Sequence, residues 1–401
     1  MYCINKVNDS IYWIGGNDRK LTVFEGAIPI SDGMAYNSYF VDDEKTVVLD
    51  TVDQSVEKVF FENIEHLLAG RALDYVIVNH VEPDHSASLE ELIRRHPETK
   101  IVGTAKIRQM ISQYVSFDVN EHFNLIKEGD EISSGSHTFT FVNAPMVHWP
   151  EVMVTYEKTT GTLFSADAFG TFGALSGNIF ADCYDFETEW LPQARKYYTT
   201  IVGKYGKFTA NTINKALTLD IKMICPLHGP VIRKDMEQYI NAYMTWAKYE
   251  AEEQGALVLY ASPYGNTKNA AEILASEMAE LGVRRMKLMD VSHKDPMDVL
   301  PEVFRFSNLI IAAPTYNAEI FIKMEEALVE MKSMGVCNKK VSIIQNGSWN
   351  PASGKKVESF FESMKGIEFV GDIVTVKSSV KPETREALEK LAKEIAASIE
   401  A

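Results

Sequence analysis

Four cysteines in 401 residues, Cys3, Cys183, Cys225 and Cys337, are too scattered to build a disulfide framework, and no CxxC pair is present. Thiolates are therefore excluded as the main ligands of any metal. No apolar run approaches the roughly 18 residues of a spanning helix. The opening MYCINKVNDS has no basic segment leading into an apolar one, so no secretory leader is expected. Basic charge is also short: 40 Lys and Arg against 56 Asp and Glu give a formal charge of −16. Such a surface repels phosphate backbones and anionic lipid, so neither nucleic acid nor membrane is an expected partner. Internal repeats and low-complexity segments are missing too. What is present, 46% apolar and 24% charged residues, fits a soluble, cytoplasmic, globular protein long enough for two cores.

The division falls near residue 255. Met236, Tyr239, Ile240, Tyr243, Trp246 and Ala247 recur at helical spacing across 234–254, and Gly255 is placed where such a helix would stop. A strand-like run, ALVLYA, follows from Ala256. From there apolar strands alternate with helices: ALVLYA with KNAAEILASEMAELG, NLIIAAP with KMEEALVEMKSMG, KVSIIQNG with GKKVESFFESMKG, and DIVTVK with PETREALEKLAKEIAASIE. This alternation predicts a doubly wound parallel sheet over 256–401. Residues 1–250 are richer in strands, with YNSYFVDDEKTVVLDT and SHTFTFVNA reading as hairpin material, and form a mixed α/β domain.

Residues 79–85, NHVEPDH, place His80, Glu82, Asp84 and His85 within six positions. The preceding YVIVN reads as a buried strand, and Ser88-Leu-Glu-Glu91 has the capping-box pattern of a helix start. The quartet then lies in a strand-to-helix loop, which Pro83 keeps extended at Glu82. Three more potential ligands follow strands: His148 after TFTFV, Asp167 after TLFSA and His228 after KMIC. Functional groups gather beyond the carboxyl ends of strands, and these segments can meet there. Taken singly, His148, Asp167 or His228 is an ordinary capping or turn residue; the dense quartet is what a solvated loop has no need of. His66, His96, His122, His137 and His293 read as surface or packing residues.

The pattern HxExDH, followed by His148, Asp167 and His228, resembles the diiron centre of the flavodiiron proteins. In this branch of the metallo-β-lactamase fold, glutamate replaces the second histidine of the hydrolases' HxHxDH. The resemblance covers essentially the whole chain. It implies an α/β architecture, a metallo-β-lactamase-like αββα sandwich at 1–250 followed by a flavodoxin-like doubly wound parallel sheet at 256–401. By position it implies that His80, Glu82 and His148 hold one iron, that Asp84, His85 and His228 hold the other, and that Asp167 bridges. In some relatives the histidine matching His85 turns away, so the count is six or seven ligands. Carboxylates added to imidazoles suit iron, whose higher oxidation states harder oxygen donors stabilise.

In the second half, Ser262-Pro263-Tyr264-Gly265-Asn266-Thr267 joins a strand to a helix. Backbone N–H groups, hydroxyls and the helix dipole in such a loop can wrap a phosphate. The loop resembles that of flavodoxins and matches neither GxGxxG nor the Walker pattern, which favours the monophosphate of FMN. Pro314-Thr315-Tyr316-Asn317 and Asn346-Gly347-Ser348-Trp349 also follow strands, where a flavin ring would lie, with Tyr316 and Trp349 able to stack on it.

A flavin beside two non-haem irons, with no nucleophile constellation, favours reduction of a small oxidant. The resemblance implies dioxygen reduced to water, nitric oxide reduced to nitrous oxide, or both. Tyr197 or Tyr198 is expected to donate a proton or hydrogen bond near the metals, with core packing as the alternative. The resemblance also implies a head-to-tail homodimer, or a dimer of dimers. With no CxxC after residue 350, electrons are expected from a separate donor, rubredoxin, with reduced deazaflavin as the alternative. Two rival readings are a zinc-dependent hydrolase carrying a flavodoxin domain, and a non-catalytic electron carrier or gas sensor.

Overall fold

Short, wholly apolar strands dominate the first part of the chain because both of their faces are covered. Tyr39–Val41 and Val47–Leu49 bury every residue and pair antiparallel across the intervening acidic turn. They lie at the centre of a seven-stranded sheet ordered 5–6, 11–13, 39–41, 47–49, 75–77, 100–103, 123–125. A second sheet of five strands runs 131–133, 138–143, 153–157, 162–164, 223–225. The sheets are tied to each other at the level of the site. The Tyr39 hydroxyl donates to the Pro226 carbonyl at 2.8 Å, its ring lies 5.3 Å from that of Phe164, and Thr155 Oγ1 donates to Asn79 Oδ1 at 2.7 Å. Tyr39, Phe60, Phe139, Phe141 and Phe164 are fully buried, each contributing roughly 2–3 kcal/mol over an exposed position. With Glu57–Leu68, Leu89–Arg95, Gly206–Ala216 and other helices, the layers make the metallo-β-lactamase-like αββα sandwich.

The structure, a computed structural model, describes residues 1–400 and divides into two units, Met1–Met244 and Thr245–Ala401. In the second unit the strands Glu253–Tyr260, Met286–Asp290, Phe306–Tyr316, Lys340–Asn346 and the pieces Glu368–Phe369 and Val374–Val376 form one parallel sheet. The spatial order is second, first, third, fourth, fifth, the flavodoxin-like winding. Val258, Ile310 and Ile344 on the sheet meet Ala270, Ala271 and Leu274 of the helix Asn266–Glu280, and Leu388 and Leu391 of the helix Pro382–Glu400. Among the described residues no helix is long and apolar enough to cross a membrane.

Two local expectations differ from what is found. The helix Met236–Ala247 ends well short of Gly255, and the strand already begins at Glu253, so Gly255 is a strand residue and not a helix stop. Its missing side chain admits the Arg285 carbonyl: a Cβ there would lie 2.3 Å from that oxygen. The capping box at Ser88 does not form either, because the Ser88 hydroxyl donates instead to the Val52 carbonyl at 2.8 Å.

Candidate metal centre and flavin loops

Asp50 sets the geometry of the NHVEPDH loop. It adopts a left-handed φ of 55° directly after the strand Val47–Leu49. Its Oδ1 accepts the Asn79 and His80 amides at 2.7 and 3.2 Å, and its Oδ2 accepts the Asn79 side-chain amide at 2.7 Å. Burial pushes the Asp50 carboxyl up to about 6 even though these hydrogen bonds favour its charged form. Glu82 is extended, with ψ 141°, as the proline predicts. Pro83 then opens a short helical turn, Pro83–Ser86, so Asp84 and His85 project from a turn and not from an extended loop.

The seven predicted ligands converge, from strand ends belonging to both sheets. His80, Glu82, His148 and Asp167 form one group of donor atoms and Asp84, His85 and His228 another, the atoms within each lying no more than 4.8 Å apart. Asp167 faces both groups. Its Oδ2 is 3.3 Å from His80 Nε2 and 3.2 Å from His148 Nε2, while its Oδ1 is 3.2 Å from His85 Nε2 and 3.8 Å from His228 Nε2. Glu82 Oε2 adds contacts of 3.2 Å to His80 and 2.9 Å to His148. Asp84 Oδ2 lies 3.3 Å from His85 and 3.2 Å from His228. His85 points inward.

This arrangement fits a pair of cations. Both oxygens of Asp84, both oxygens of Asp167 and both ring nitrogens of His85 are buried without a hydrogen bond, which native interiors rarely leave. Burial alone would strip the proton from His148, yet the Asp167 and Glu82 carboxylates beside it raise it to about 9. Burial likewise opposes charging of His80, and Asp167 and Glu151 outweigh it. The carboxylates thus draw positive charge into the pocket, and metal ions supply it more fully than protons. Three carboxylates nearly balance two divalent ions, so the loaded site can stay buried.

The flavin loops are placed as predicted at the carboxyl ends of parallel strands. Gly265 takes a left-handed φ of 86° with open space where a Cβ would be, immediately before the helix Asn266–Glu280. Ser262 Oγ accepts the Lys268 amide at 3.0 Å, which folds the loop back on the helix start. Tyr264, Trp349 and Tyr316 are 94%, 93% and 53% exposed, an unusual outlay of apolar surface that a planar ring could cover. Pro314 is the last residue of its strand to pair with Lys340–Asn346, Asn317 turns the chain at φ 50°, and Gly347 packs so near Pro351 that a Cβ would meet its Cα at 2.9 Å. Four of the residues expected at the flavin also hold the loops in place. Thr315 Oγ1 accepts the Ala352 and Ser353 amides at 2.8 and 3.0 Å. Asn346 Nδ2 donates to Thr267 Oγ1 at 3.2 Å, so both of those side chains are tied to each other. Ser348 Oγ lies 2.9 Å from Ser378 Oγ, on a further loop that the sequence reading did not single out.

Two family profiles match the chain, ODP family beta lactamase over residues 34–229 and Flavodoxin over residues 258–397. The anaerobic nitric oxide reductase flavorubredoxin of Escherichia coli is 31% identical over 349 residues, covering 86% of this chain and 72% of that one. The chain is a flavodiiron protein. Among solved structures, the rubredoxin oxygen:oxidoreductase of Desulfovibrio gigas is similar to it with a TM-score of 0.92 and 26% identity over 99% of both chains. The flavodiiron protein of Giardia intestinalis shares the fold, with a TM-score of 0.89 and 24% identity over 99% of this chain and 98% of that one.

Around the metal centre of this flavodiiron protein, four residues escaped the sequence reading. Phe24 and Tyr36 place their rings 5.8 and 5.7 Å from that of His228. Glu25, at the tip of the hairpin that carries Phe24, has its carboxyl pushed up to about 8 by lost solvation and by Glu82 beside it. Glu151 reaches His80 from behind, Oε1 to Nδ1 at 2.8 Å. Only Glu151 left a trace in the sequence, as the carboxylate of HWPE beside a candidate ligand. Of the two tyrosines, Tyr197 puts its ring 5.4 Å from His228, whereas Tyr198 packs edge-on to Tyr243 at 5.3 Å.

Proposed function

We propose that this flavodiiron oxidoreductase reduces dioxygen to water, nitric oxide to nitrous oxide, or both, at two irons held by His80, Glu82, His148, Asp167, Asp84, His85 and His228. The observation that carries the reading is Asp167, which turns one oxygen to each ligand group. When bound, the iron pair supplies electrons to the gas and FMN replenishes them. Dioxygen takes four electrons and four protons to give two waters; two nitric oxide molecules take two electrons and two protons to give nitrous oxide and one water.

The chain's own residues contribute enclosure, placement and protons. Phe24, Tyr36 and Tyr197 crowd His228, Phe172 backs Tyr197, and Trp149 packs on His80 and His148, keeping bulk water from the ligands. Burial, reinforced by Asp167 and Asp84, holds the Tyr197 phenol protonated well above its ordinary range. It therefore serves as a hydrogen-bond donor at any working pH and never as a base. Ser262, Pro263, Tyr264, Gly265, Asn266 and Thr267 would wrap the FMN phosphate, with Tyr316 and Trp349 against the ring. A small iron–sulfur carrier of the rubredoxin type is the proposed donor. Its support is the name of the Desulfovibrio gigas neighbour. A second copy of the chain is the proposed cover for Tyr264, Tyr316 and Trp349, consistent with their exposure.

The test is anaerobic reduction of the iron- and FMN-loaded protein, followed by separate additions of oxygen and nitric oxide with excess reduced donor. Repeated consumption of either gas is expected. A single stoichiometric oxidation would make the protein a sensor, and zinc without iron in the purified protein would make it a hydrolase.

A further inference from the structure

The ligand histidines are held from behind in different ways. His80 Nδ1 meets the carboxylate of Glu151 at 2.8 Å, and the same Oε1 accepts the Val81 amide at 3.0 Å. Glu151 is 3% exposed. His228 Nδ1, in the other group, meets only the backbone carbonyl of Ala35 at 2.8 Å, and His85 Nδ1 is buried with no hydrogen bond. One group therefore has a full negative charge behind an imidazole, and the other has a neutral dipole and a bare nitrogen. The second Glu151 oxygen makes no hydrogen bond. Glu151 also lines a cleft of about 340 Å³ bordered by Thr104, Lys106, Lys127 and Asn143, separate from the ligand pocket.

We propose that Glu151 is a positioning residue that makes the two metal positions unequal, orienting His80 with Nε2 toward the metal and strengthening it as a donor. Because Oε1 accepts from both the His80 ring and the Val81 amide, the loop that carries Glu82 and Asp84 is fixed by the same atom. The position held by His80, Glu82 and His148 is then the tighter of the two and the more easily oxidised. A carboxylate behind a ligating imidazole raises its basicity, and losing such a partner costs about 10- to 100-fold in metal affinity. This inference rests on the diiron reading above.

The test is an anaerobic titration of metal-stripped full-length protein with Fe²⁺ against a competing chelator. Glu151→Gln preserves an oxygen for both hydrogen bonds and removes the charge, placing an NH2 where the second oxygen makes no hydrogen bond. Wild type is expected to bind two equivalents; fewer would sink the diiron reading before any variant is compared. In Glu151→Gln one equivalent should weaken about 10- to 100-fold while the other keeps its affinity, and the first oxidation should move to a higher potential. Unchanged affinity at both positions, or equal weakening of both, overturns the proposal. Glu157→Gln is the control: Glu157 faces His137 Nδ1 at 3.1 Å in a buried pair outside the ligand groups, so its loss should lower stability and leave both iron affinities intact. If Glu151→Gln does not fold, Glu151→Asp shortens the reach while keeping the charge. Weakening confined to one position then supports the proposal, and wild-type affinity at both overturns it.

Discussion

His85 Nε2 lies 3.2 Å from Asp167 Oδ1, both atoms are buried, and neither makes a hydrogen bond. A cation placed between the second ligand group and Asp167 would satisfy both, so the proposed diiron site takes His85 as its seventh ligand. The backbone around it is held independently, since the His85 carbonyl accepts the Thr51 amide at 3.0 Å and the Thr51 hydroxyl at 2.7 Å. His85→Ala should therefore keep the loop and lose an imidazole. Iron per chain, measured by elemental analysis after anaerobic loading, is expected to fall from two toward one. Retention of two irons would show that water can stand in for this ring.

The Asn346 side chain joins two loops of the flavin domain through three hydrogen bonds. Its Nδ2 reaches Thr267 Oγ1 at 3.2 Å and the Ser378 carbonyl at 3.0 Å, and its Oδ1 accepts the Ser378 amide at 3.1 Å. Asn346→Ala leaves these partners unsatisfied and lets the phosphate loop drift from the Ser378 loop. Losing such a buried partner costs roughly 1–3 kcal/mol, so FMN affinity should drop about 10- to 100-fold if most of that loss falls on the bound form. Fluorescence quenching on titrating apoprotein with FMN measures it, and wild-type affinity would reduce Asn346 to a local strut.

The parts of this architecture that the sequence reveals are those written in contiguous patterns. Alternating strands and helices after Ala256 announce the parallel sheet, and the NHVEPDH quartet announces a metal site because ligands so dense in the chain need no folding to be brought together. His148, Asp167 and His228 are individually ambiguous; strand ends from two sheets give them meaning, and only three-dimensional closure shows Asp167 facing both groups. Asp50 and Glu25 are not legible because each acts on the quartet from a distant segment, and a lone carboxylate carries no spacing signal; Glu151 shows only as an acid three residues after His148. Gly255 misled for a related reason: the close approach of Arg285 demands glycine as firmly as a helix end does.

A buried ion pair outside the metal site predicts an acid limit to stability. Glu157 accepts the Thr159 and Thr160 amides at 2.6 and 2.8 Å and faces His137. Burial resists its ionisation, but the His137 imidazole beside it and hydrogen bonds from Thr160 prevail and lower it from 4.5 to about 2. The folded state thus binds fewer protons than the unfolded state between these values. The stability it contributes is present above pH 4.5 and is lost as pH falls toward 2, on the order of 3 kcal/mol in all. Denaturant melts from pH 6 down to 3 should show a shallower acid decline in Glu157→Gln than in wild type, starting from a lower plateau. Parallel declines would assign the acid loss to other groups.

Tyr197 separates a chemical role from packing. Its ring fills the space that Gly170 leaves, where a Cβ would lie 2.8 Å from the ring edge, and touches both Phe172 and His228. Tyr197→Phe keeps that volume and removes only the hydroxyl, so iron content, FMN content and melting temperature should match wild type. If the phenol donates to the gas being reduced, turnover should fall about 100-fold, the scale of a lost proton donor. Tyr198→Phe, whose ring packs on Tyr243, should then turn over at close to the wild-type rate. Because burial and the neighbouring carboxylates keep the Tyr197 phenol neutral far above its usual range, removing it should lower the rate evenly across pH 6 to 9 without shifting the profile. A variant that instead loses an alkaline limb would mean the hydroxyl ionises during turnover, and unchanged turnover would return Tyr197 to the wall of the pocket.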